Sequence, residues 1–327
     1  MKKLIVWVII IISVSFLLPA VLTQKFSFVE SSAESTEEIK QEYTYQNYGK
    51  VKLLHTQTGQ IEELDMDEYL LGVVCSEMPV DYELEALKTQ AIVARTYTVY
   101  LIQNGGKHEG ADICDSSNCC QAWISKEKRF ERWEEAKREE NWEKIKSAVN
   151  STKGKVIKYD GKIIKAFFHA NSGGKTENVS AVWGGADLPY LQSVETSGEN
   201  NYSQYSSEIE ISKSEFEAKI KSTHPEFTIN YEEENCIEIK EYTSGNRVKT
   251  LKIGNIEISG VELRTILGLR SANFSFEING DNIKFFVTGY GHGVGMSQTG
   301  ADSLAKQGIL CEDIIKHFYT GVSIENI

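Results

Sequence analysis

An apolar segment at the start of the chain places the strongest limit on how this sequence can fold. Two lysines precede the 19 residues from Leu4 to Leu22, which carry no charge and are interrupted only by two serines and one proline. At a rise of about 1.5 Å per residue, a helix of this length crosses a bilayer, and the lysines favour a cytoplasmic N-terminus. We therefore predict a cytoplasmic tip and transmembrane anchor over residues 1–23. A cleaved signal peptide is the alternative, but no small-x-small cleavage site follows Leu22.

The segment after the anchor lacks the composition of a folded domain. Residues 24–47 are rich in serine, glutamate and glutamine and poor in aliphatic side chains, so they cannot bury enough apolar surface to become ordered. They are predicted to form an acidic disordered tether. The range from Lys50 to Leu64 is predicted to be a hairpin around Thr58 and Gly59, and the folded domain is assigned to residues 48–327.

The composition of the chain sets the class of that domain. Hydrophobic residues make up 41% and charged residues 25%, which is typical of globular proteins. Helical and strand patterns are mixed without regular alternation, which predicts an α+β domain with a substrate groove. Acidic residues outnumber basic ones by 47 to 35, and the net charge of −12 would repel a phosphate backbone. Nucleic acid is therefore not an expected partner.

Several segments are assigned from periodicity alone. Buried strands are expected at Ile163 to Phe168, Val248 to Ile258 and Ile283 to Val287. The charged run from Lys126 to Lys146 alternates in sign and carries three aromatic residues. It is predicted to be a solvated amphipathic helix that these rings dock onto the domain.

A helix that must stop before a proline carries the first candidate catalytic residue. Asp65, with a glutamate three residues later, is typical of a helix N-cap, and Pro79 disfavours helical backbone at Met78. Glu77 is therefore predicted to lie at the helix C-terminus. The carbonyl groups there favour the protonated carboxyl and raise its pKa, as a general acid near neutral pH requires. An exposed surface glutamate would give the same local pattern.

A second helix is predicted from Tyr82 to about Gln103, where apolar residues recur at helical spacing. Its polar residues Gln90 and Arg95 could face a groove. An exposed helix face is the alternative, and the local pattern does not separate the two.

A cluster of potential metal ligands follows that helix within thirteen residues: His108, Cys114, Cys119 and Cys120. Zinc selects thiolate and imidazole ligands. In an oxidising compartment Cys114 could instead form a disulfide with either of the other two cysteines, and the spacing leaves metal, disulfide and free thiols open. The scattered cysteines are expected to be small buried apolar residues: Cys75, Cys236 and Cys311.

Two glycine-containing segments display histidines. His169 lies at the end of a predicted strand and before a glycine turn, a place where side chains often meet a ligand. A nucleophile pair of Ser172 with His169 is discounted because the sequence has no G-x-S-x-G elbow. In the second segment, Gly289 to Gly300, alternate glycines let the backbone approach a ligand closely. This segment carries His292 and Gln298, and a helix is predicted from Ser297 to Lys306.

These pieces, in this order, resemble the family of stage II sporulation protein D and the amidase enhancers. The motifs are SEMP with EALKTQAIVARTY (Ser76 to Tyr97), GADICD with CQAW (Gly110 to Trp123), FFHANSGGKTENV with VWG (Phe167 to Gly184), LRTILGLRSANF (Leu263 to Phe274) and GYGHGVGMSQTGA (Gly289 to Ala301).

The resemblance implies a membrane-anchored lytic transglycosylase of endospore formers, which cleaves peptidoglycan glycan strands stripped of stem peptides during engulfment. The catalytic acid of the family is the glutamate of S-E-M-P, here Glu77. The resemblance also implies zinc on His108, Cys114 and Cys120. Cys119 stands where zinc-binding members are expected to have histidine, which leaves the fourth ligand open between Cys119, in a Cys3His set, and a water molecule. The role expected for this zinc is structural. The residues expected to contact substrate are Arg95, His169, Ser172, Arg270, His292, Ser297 and Gln298.

The implied partners are glycan strands, the cell membrane, a sporulation amidase and a membrane protein of the engulfment complex. The domain would then lie in the intermembrane space of the sporulating cell. A non-catalytic peptidoglycan-binding enhancer of a partner amidase is the alternative function. A zinc amidase is a weaker alternative, because thiolate-rich zinc sites are more often closed and structural.

The predicted anchor can be tested by fractionation. We expect the full chain to remain in the membrane fraction, and a chain truncated to begin at Lys50 to be soluble and active on glycan, because the apolar segment alone holds the protein in the bilayer. Immunoblotting of the two fractions measures this. Recovery of native protein with a new N-terminus beyond residue 22 would instead identify a cleaved signal peptide.

Overall fold

The computed structural model describes residues 45–327, so the predicted anchor and all but the last residues of the predicted tether lie outside them. The first described element is a 3₁₀ turn at Tyr45–Tyr48, and the Tyr48 side chain is buried in the core. Within the described range, no helix is both long enough and apolar enough to cross a membrane.

Helices and short sheets alternate irregularly along the chain, which confirms the predicted α+β class. The helices are α1 (Met66–Glu77), α2 (Leu84–Gln103), α3 (Lys126–Arg132), α4 (Arg138–Ser151), α5 (Val179–Trp183), α6 (Lys213–Lys221), α7 (Gly260–Leu267), α8 (Gln298–Lys306) and α9 (Cys311–Phe318). The strands are β1 (Lys50–Leu54), β2 (Ile61–Asp65), β3 (Ile113–Cys114), β4 (Lys155–Tyr159), β5 (Lys162–Ile163), β6 (Phe168–His169), β7 (Ser206–Ser212), β8 (Ile237–Tyr242), β9 (Val248–Ile253), β10 (Ile256–Ser259), β11 (Phe274–Asn279), β12 (Asn282–Thr288), β13 (Met296–Ser297) and β14 (Ser323–Asn326).

The core lobe, residues 45–205 and 289–327, is built around helix α2. Fourteen of its 20 residues are buried, and a helix that is buried on nearly all sides belongs to the centre of a domain. Helices α1, α4, α8 and α9 and strand β4 pack against it. Two three-stranded sheets, in the orders β2-β1-β3 and β14-β4-β5, belong to this lobe. Helix α2 therefore links the elements that carry the candidate site.

The insert lobe, residues 206–288, has a hydrophobic core of its own. It contains the sheets β11-β12-β7 and β10-β9-β8 with helices α6 and α7. Strand β12 buries Ile283, Phe285 and Val287 in strict alternation, as a strand with one covered face does. The chain enters and leaves this lobe at one point, because the Gly289 amide donates to the Tyr205 carbonyl at 2.6 Å.

Several predicted boundaries are confirmed. The predicted hairpin is present as β1 and β2, paired antiparallel. Helix α1 ends at Glu77, and Met78 is extended (φ −120°, ψ 141°), as the residue before a proline must be. Helix α8 begins directly after Ser297, whose hydroxyl accepts a hydrogen bond from the Gly300 amide at 3.2 Å.

The charged run over residues 126–146 is not the single helix that was predicted. Trp133 is extended (φ −95°, ψ 147°) and separates α3 from a 3₁₀ turn and α4. The break lets Trp142 become buried while the Phe130 ring contacts both tryptophans at centroid distances of 6.0 Å. The rings dock the segment as predicted, but they do so by interrupting the helix.

Two predicted strands also differ from the structure. Of residues 163–168, only the two ends pair, in β5 and β6, while Ile164 to Phe167 lie outside any strand. The segment predicted as a strand from Val248 to Ile258 is a hairpin, because Gly254 (φ 52°) turns the chain between β9 and β10.

Candidate functional site

A groove of about 880 Å³ lies in the core lobe where the insert lobe meets it. Four residues that the sequence predicted to act on substrate line it: Glu77, His169, His292 and Gln298. They come from the end of α1, from β6, from the glycine segment and from the start of α8. The groove therefore brings together motifs that lie up to about 220 residues apart in the chain.

Glu77 is partly buried and held by two hydrogen bonds. Its Oε1 atom accepts from the Ala122 amide at 2.5 Å, and the Gln298 side chain also hydrogen-bonds to the carboxyl group. Burial raises the pKa of Glu77 to about 7, although the two hydrogen bonds act in the opposite direction. The predicted direction is confirmed, but the main cause is burial rather than the helix terminus.

Gln298 is fixed by its place at the start of α8. Its Nε2 atom donates to Gln90 Oε1 at 3.3 Å, and both side chains are buried. The polar face of α2 that carries Gln90 is thus covered by α8 instead of solvent. Gln298 links the core helix to the carboxyl group of Glu77.

The two histidines of the groove are neutral and lie side by side, with ring centroids 5.6 Å apart. Burial, aided by Arg247, lowers the pKa of His169 to about 3, and burial together with His169 lowers that of His292 well below its ordinary value. His169 Nδ1 donates to the Val294 carbonyl at 3.2 Å. Its Nε2 atom is buried and has no hydrogen-bond partner among residues 45–327, so it can accept one from a ligand.

Two half-exposed aromatic rings complete this side of the groove. Trp183 is 50% exposed and packs at a tilt against the Phe167 and His292 rings, with centroids 4.8 and 5.0 Å away. Tyr290 is 43% exposed. Exposed rings on a rigid wall are suited to sugar faces, which present C–H groups to them. The VWG part of a sequence motif contains Trp183, but its residue type alone did not indicate this role.

Ser172 and Ser297 do not line the groove, which corrects their predicted contact with substrate. Both are fully buried and donate hydrogen bonds from their hydroxyl groups to the carboxylate of Glu199. Glu199 also accepts from the amide of Gly174 at 2.9 Å and from the hydroxyl of Thr299 at 2.9 Å. Burial would raise the pKa of Glu199, but these hydrogen bonds hold it below its ordinary value. No sequence motif pointed to this residue.

Arg95 also differs from its prediction as a residue that contacts substrate, whereas the predicted contact of Arg270 is not contradicted. The Arg95 side chain is completely buried and donates to the Thr152 carbonyl at 2.8 Å. It therefore hydrogen-bonds to the C-terminal end of α4 instead of contacting the substrate. Arg270 is exposed, with its guanidinium 5.1 Å from the Tyr290 ring centroid, at the rim of the groove. The arginine that lines the groove is Arg264, which lies in the same motif.

The predicted metal ligands converge at one end of the groove. The side-chain donor atoms of His108, Cys114, Cys119 and Cys120 all lie within 4.8 Å of one another. The sulfur atoms of Cys119 and Cys120 are 3.5 and 3.7 Å from His108 Nε2, and none of the three thiols is in a disulfide. One cation can be reached by all four atoms, and this soft donor set suits zinc.

A sharp turn allows both adjacent cysteines to reach this cluster. The amides of Cys119 and Cys120 both donate to the Ser116 carbonyl, at 3.1 and 2.7 Å. The cluster then continues directly into the support of the carboxyl group, because Gln121 is buried against Tyr69 and the next amide, that of Ala122, binds Glu77. Cys75, Cys236 and Cys311 are buried elsewhere, as predicted.

The fold and groove define an α+β protein whose groove holds the partly buried carboxyl group of Glu77 and, at one end, a cluster of three thiols and an imidazole. A family model described as stage II sporulation protein matches residues 54–159. Stage II sporulation protein D of Bacillus amyloliquefaciens is 36% identical over 277 residues, which are 84% of this chain and 78% of that protein. The protein of the same name from Bacillus subtilis strain 168 is 34% identical over the same shares. The chain belongs to the family of stage II sporulation protein D and the amidase enhancers, which confirms the resemblance.

A relative with a different name shares the family. The amidase enhancer of Bacillus subtilis strain 168 is 27% identical over 310 residues, which cover 78% of this chain and 40% of that longer protein. The family therefore includes proteins named for sporulation and one named for an effect on an amidase.

The raised pKa of Glu77 predicts a cost in stability. Ionising Glu77 in the folded protein opposes folding, so the cost is absent below the ordinary pKa of 4.5 and grows as the pH rises to about 7. Glu77→Gln keeps the acceptor for Ala122 and carries no charge. We expect this variant of the domain to be more stable than wild type by roughly 2 kcal/mol at pH 8, with no difference at pH 4.

Urea unfolding at the two pH values measures this difference. Glu226→Gln, at an exposed position in the insert lobe, is the matched control and should leave stability unchanged at both. Equal stability of wild type and Glu77→Gln at pH 8 would contradict a raised pKa of the Glu77 carboxyl group.

Proposed function

We propose that this protein is a membrane-anchored lytic transglycosylase that cleaves peptidoglycan glycan strands, stripped of their stem peptides, during endospore engulfment. The observation that carries the proposal is Glu77, a groove carboxyl whose pKa is raised to about 7. A group with this pKa is substantially protonated at neutral pH and can both donate and accept a proton. Among the described residues that line the groove, Glu77 is also the only carboxyl group.

One carboxyl group is sufficient for this reaction. Glu77 donates its proton to the glycosidic oxygen as the bond from C1 of muramic acid to that oxygen breaks. The resulting carboxylate then takes the proton of the muramic C6 hydroxyl, whose oxygen bonds to C1 and closes a 1,6-anhydro ring. A hydrolase would require a second carboxylate to activate water or to attack C1. The hydrogen bonds from Ala122 and Gln298 stabilise the carboxylate that forms between the two steps.

The neutral histidines and the aromatic rings are suited to hold the strand. His169 Nε2 is placed to accept a hydrogen bond from a sugar hydroxyl or amide group, since it is a buried acceptor with no partner among the described residues. Trp183 and Tyr290 offer faces on which sugar rings can stack. In this proposal, Arg95, Ser172 and Ser297 support the groove from behind instead of touching the glycan.

We further propose that His108, Cys114, Cys119 and Cys120 hold one zinc ion with a structural role. The convergence of four donor atoms within 4.8 Å supports it, and a Cys3His set is of the closed, structural kind. When bound, zinc would cross-link the loop of residues 108–120. That loop leads in two residues to the Ala122 amide, which holds Glu77.

The second candidate is a non-catalytic enhancer of a partner amidase. The similarity to a protein named amidase enhancer favours it. It would use the same groove to bind glycan, but it would not require the pKa of Glu77 to be raised. Under either function the proposed partners are glycan strands, a sporulation amidase and a membrane protein, with the domain in the intermembrane space.

The Glu77→Gln variant separates the two functions. We expect it to cleave stripped glycan strands at least about a hundredfold more slowly than wild type while it still binds them, because an amide has no proton to donate. Mass spectrometry of wild-type products should find 1,6-anhydro-muramic ends. Reducing ends would indicate a hydrolase, and an absence of any cleavage by the wild type would favour the enhancer. Glu226→Gln should cleave at the wild-type rate.

The zinc site predicts an effect that leaves Glu77 in place. Cys114→Ser should remove the zinc and lower the cleavage rate, because the loop that carries Ala122 loses its cross-link. Occupancy should fall as the pH drops, since ligand thiols must be deprotonated. Elemental analysis of protein purified without chelators measures both effects, and Cys236→Ser, in the insert lobe, should retain the metal. Purified protein with no zinc, or with Cys114 in a disulfide by mass, would overturn the assignment.

A further inference from the structure

The charge of the groove is opposite to that of the protein. The chain has a net charge of −12, yet the charged residues that line the groove are Lys107, Lys165 and Arg264 together with Glu77. The lining is net positive whether or not Glu77 is ionised, even when the formal negative charge of a zinc ion on three thiolates is included. A positive groove in an acidic protein focuses the field on anionic ligands.

These three cations lack the carboxylate partners that are common elsewhere on the protein. Many surface lysines pair with acidic groups, such as Lys249 with Glu241 at 2.8 Å. Within residues 45–327, none of the groove cations has a carboxylate oxygen within 4.0 Å. Their surroundings are neutral instead: the Lys165 ammonium lies 4.8 Å from the Phe167 ring centroid, and Arg264 Nε donates to the Leu269 carbonyl at 3.2 Å.

Holding these charges in the groove opposes their ionisation. Burial, and then the like charge of Lys107, lower the pKa of Lys165. Burial also lowers the pKa of Arg264. An anion in the groove would relieve both the desolvation and the repulsion. The cations therefore contribute more to binding an anionic ligand than to the stability of the free protein.

The three cations reach the groove from different parts of the fold. Lys107 follows α2 near the metal cluster, Lys165 lies before β6, and Arg264 belongs to α7 of the insert lobe. They therefore approach one groove from three separate parts of the chain, together with the aromatic rings of Trp183 and Tyr290. A ligand that satisfies this lining carries anionic groups together with ring faces that can pack on these aromatic side chains.

We propose that the groove recognises its glycan through free lactyl carboxylates, which Lys107, Lys165 and Arg264 bind. This inference rests on the proposed function, which supplies the muramic strand. The lactyl group of muramic acid forms an amide with the stem peptide, and removal of that peptide exposes the carboxylate. The groove would then select stripped strands because it binds the carboxylate that the amidase reaction exposes. Steric exclusion of the stem peptide would act in addition.

Binding measurements on the full chain in detergent micelles test this proposal without turnover. The Glu77→Gln protein is titrated with a labelled stripped glycan oligosaccharide, and separately with the same oligosaccharide after its lactyl carboxylates have been converted to methyl esters. We expect the ester to bind at least about tenfold more weakly, because the ion pairs between its carboxylates and the groove cations are lost. Equal affinity for the two ligands would overturn the proposal.

Variants assign the effect to the groove. Lys165→Met and Arg264→Gln, each in the Glu77→Gln background, should weaken binding of the free acid. They should leave binding of the ester unchanged, and this unchanged binding shows that the groove is still folded. Lys249→Met removes an exposed lysine outside the groove lining and should change neither. Lys107 is not substituted, because it donates to the Cys119 carbonyl of the metal cluster. If neither groove variant weakens binding of the free acid, these residues are not the receptors.

Two further outcomes separate this inference from the proposed function. If wild type releases 1,6-anhydro ends equally from free and esterified strands, the reaction stands and carboxylate recognition fails. If binding depends on the free carboxylate but no anhydro ends form, recognition stands and the proposed reaction fails. Displacement of the glycan by inorganic polyphosphate at equal monomer concentration would mean that the groove binds any polyanion, which would also overturn the proposal.

Discussion

The buried carboxylate of Glu199 is the interaction on which the geometry of the groove depends. It accepts hydrogen bonds from the segment after β6, through Ser172 and Gly174, and from the start of α8, through Ser297 and Thr299. The two segments carry His169 and Gln298 into the groove. A buried charge is tolerated only when it is fully hydrogen-bonded, and the loss of one donor would leave the charge partly unsatisfied. Glu199 therefore fixes the distance between the segment after β6 and the start of α8, which belong to different sequence motifs.

A second buried charge joins the insert lobe to the same region. The guanidinium of Arg247 donates to the carbonyl groups of Ser172 and Lys175, at 2.9 and 3.1 Å, and lies 4.0 Å from the carboxylate of Glu177. A side chain at Gly293, which has φ of 85°, would collide with this guanidinium. The glycine segment is thus shaped by the need to pack against an arginine of the insert lobe, as well as by any approach of a ligand.

Sequence patterns were informative where a local rule decides the structure and silent where a distant partner does. Pro79 ends α1 and so places Glu77, whereas the spacing of His108 and the three cysteines left metal, disulfide and free thiols open, and only the resemblance to the family predicted the cluster. The motifs predicted that Arg95, Ser172 and Ser297 contact substrate. Arg95 instead binds the end of α4, and the two serines bind the buried Glu199, which no local pattern connects to them. The sequence also does not show that Arg264 enters the groove, because this depends on how α7 packs. The mixed fold class was predictable from composition and periodicity, whereas the separate core of the insert lobe was not.

The hydrogen bond from Ala122 to Glu77 comes from a backbone amide, so it does not depend on the side chain at position 122. No ordinary side-chain substitution at position 122 removes that donor, since every residue except proline carries the same N–H group. Alanine scanning would therefore pass over the position entirely. The contribution of this hydrogen bond to the pKa of Glu77 depends instead on where the loop lies, and therefore on the residues that shape the loop: the turn at Ser116, the cysteines and Gln121. A change in the length of this loop would alter the support of Glu77 while the glutamate itself stays the same.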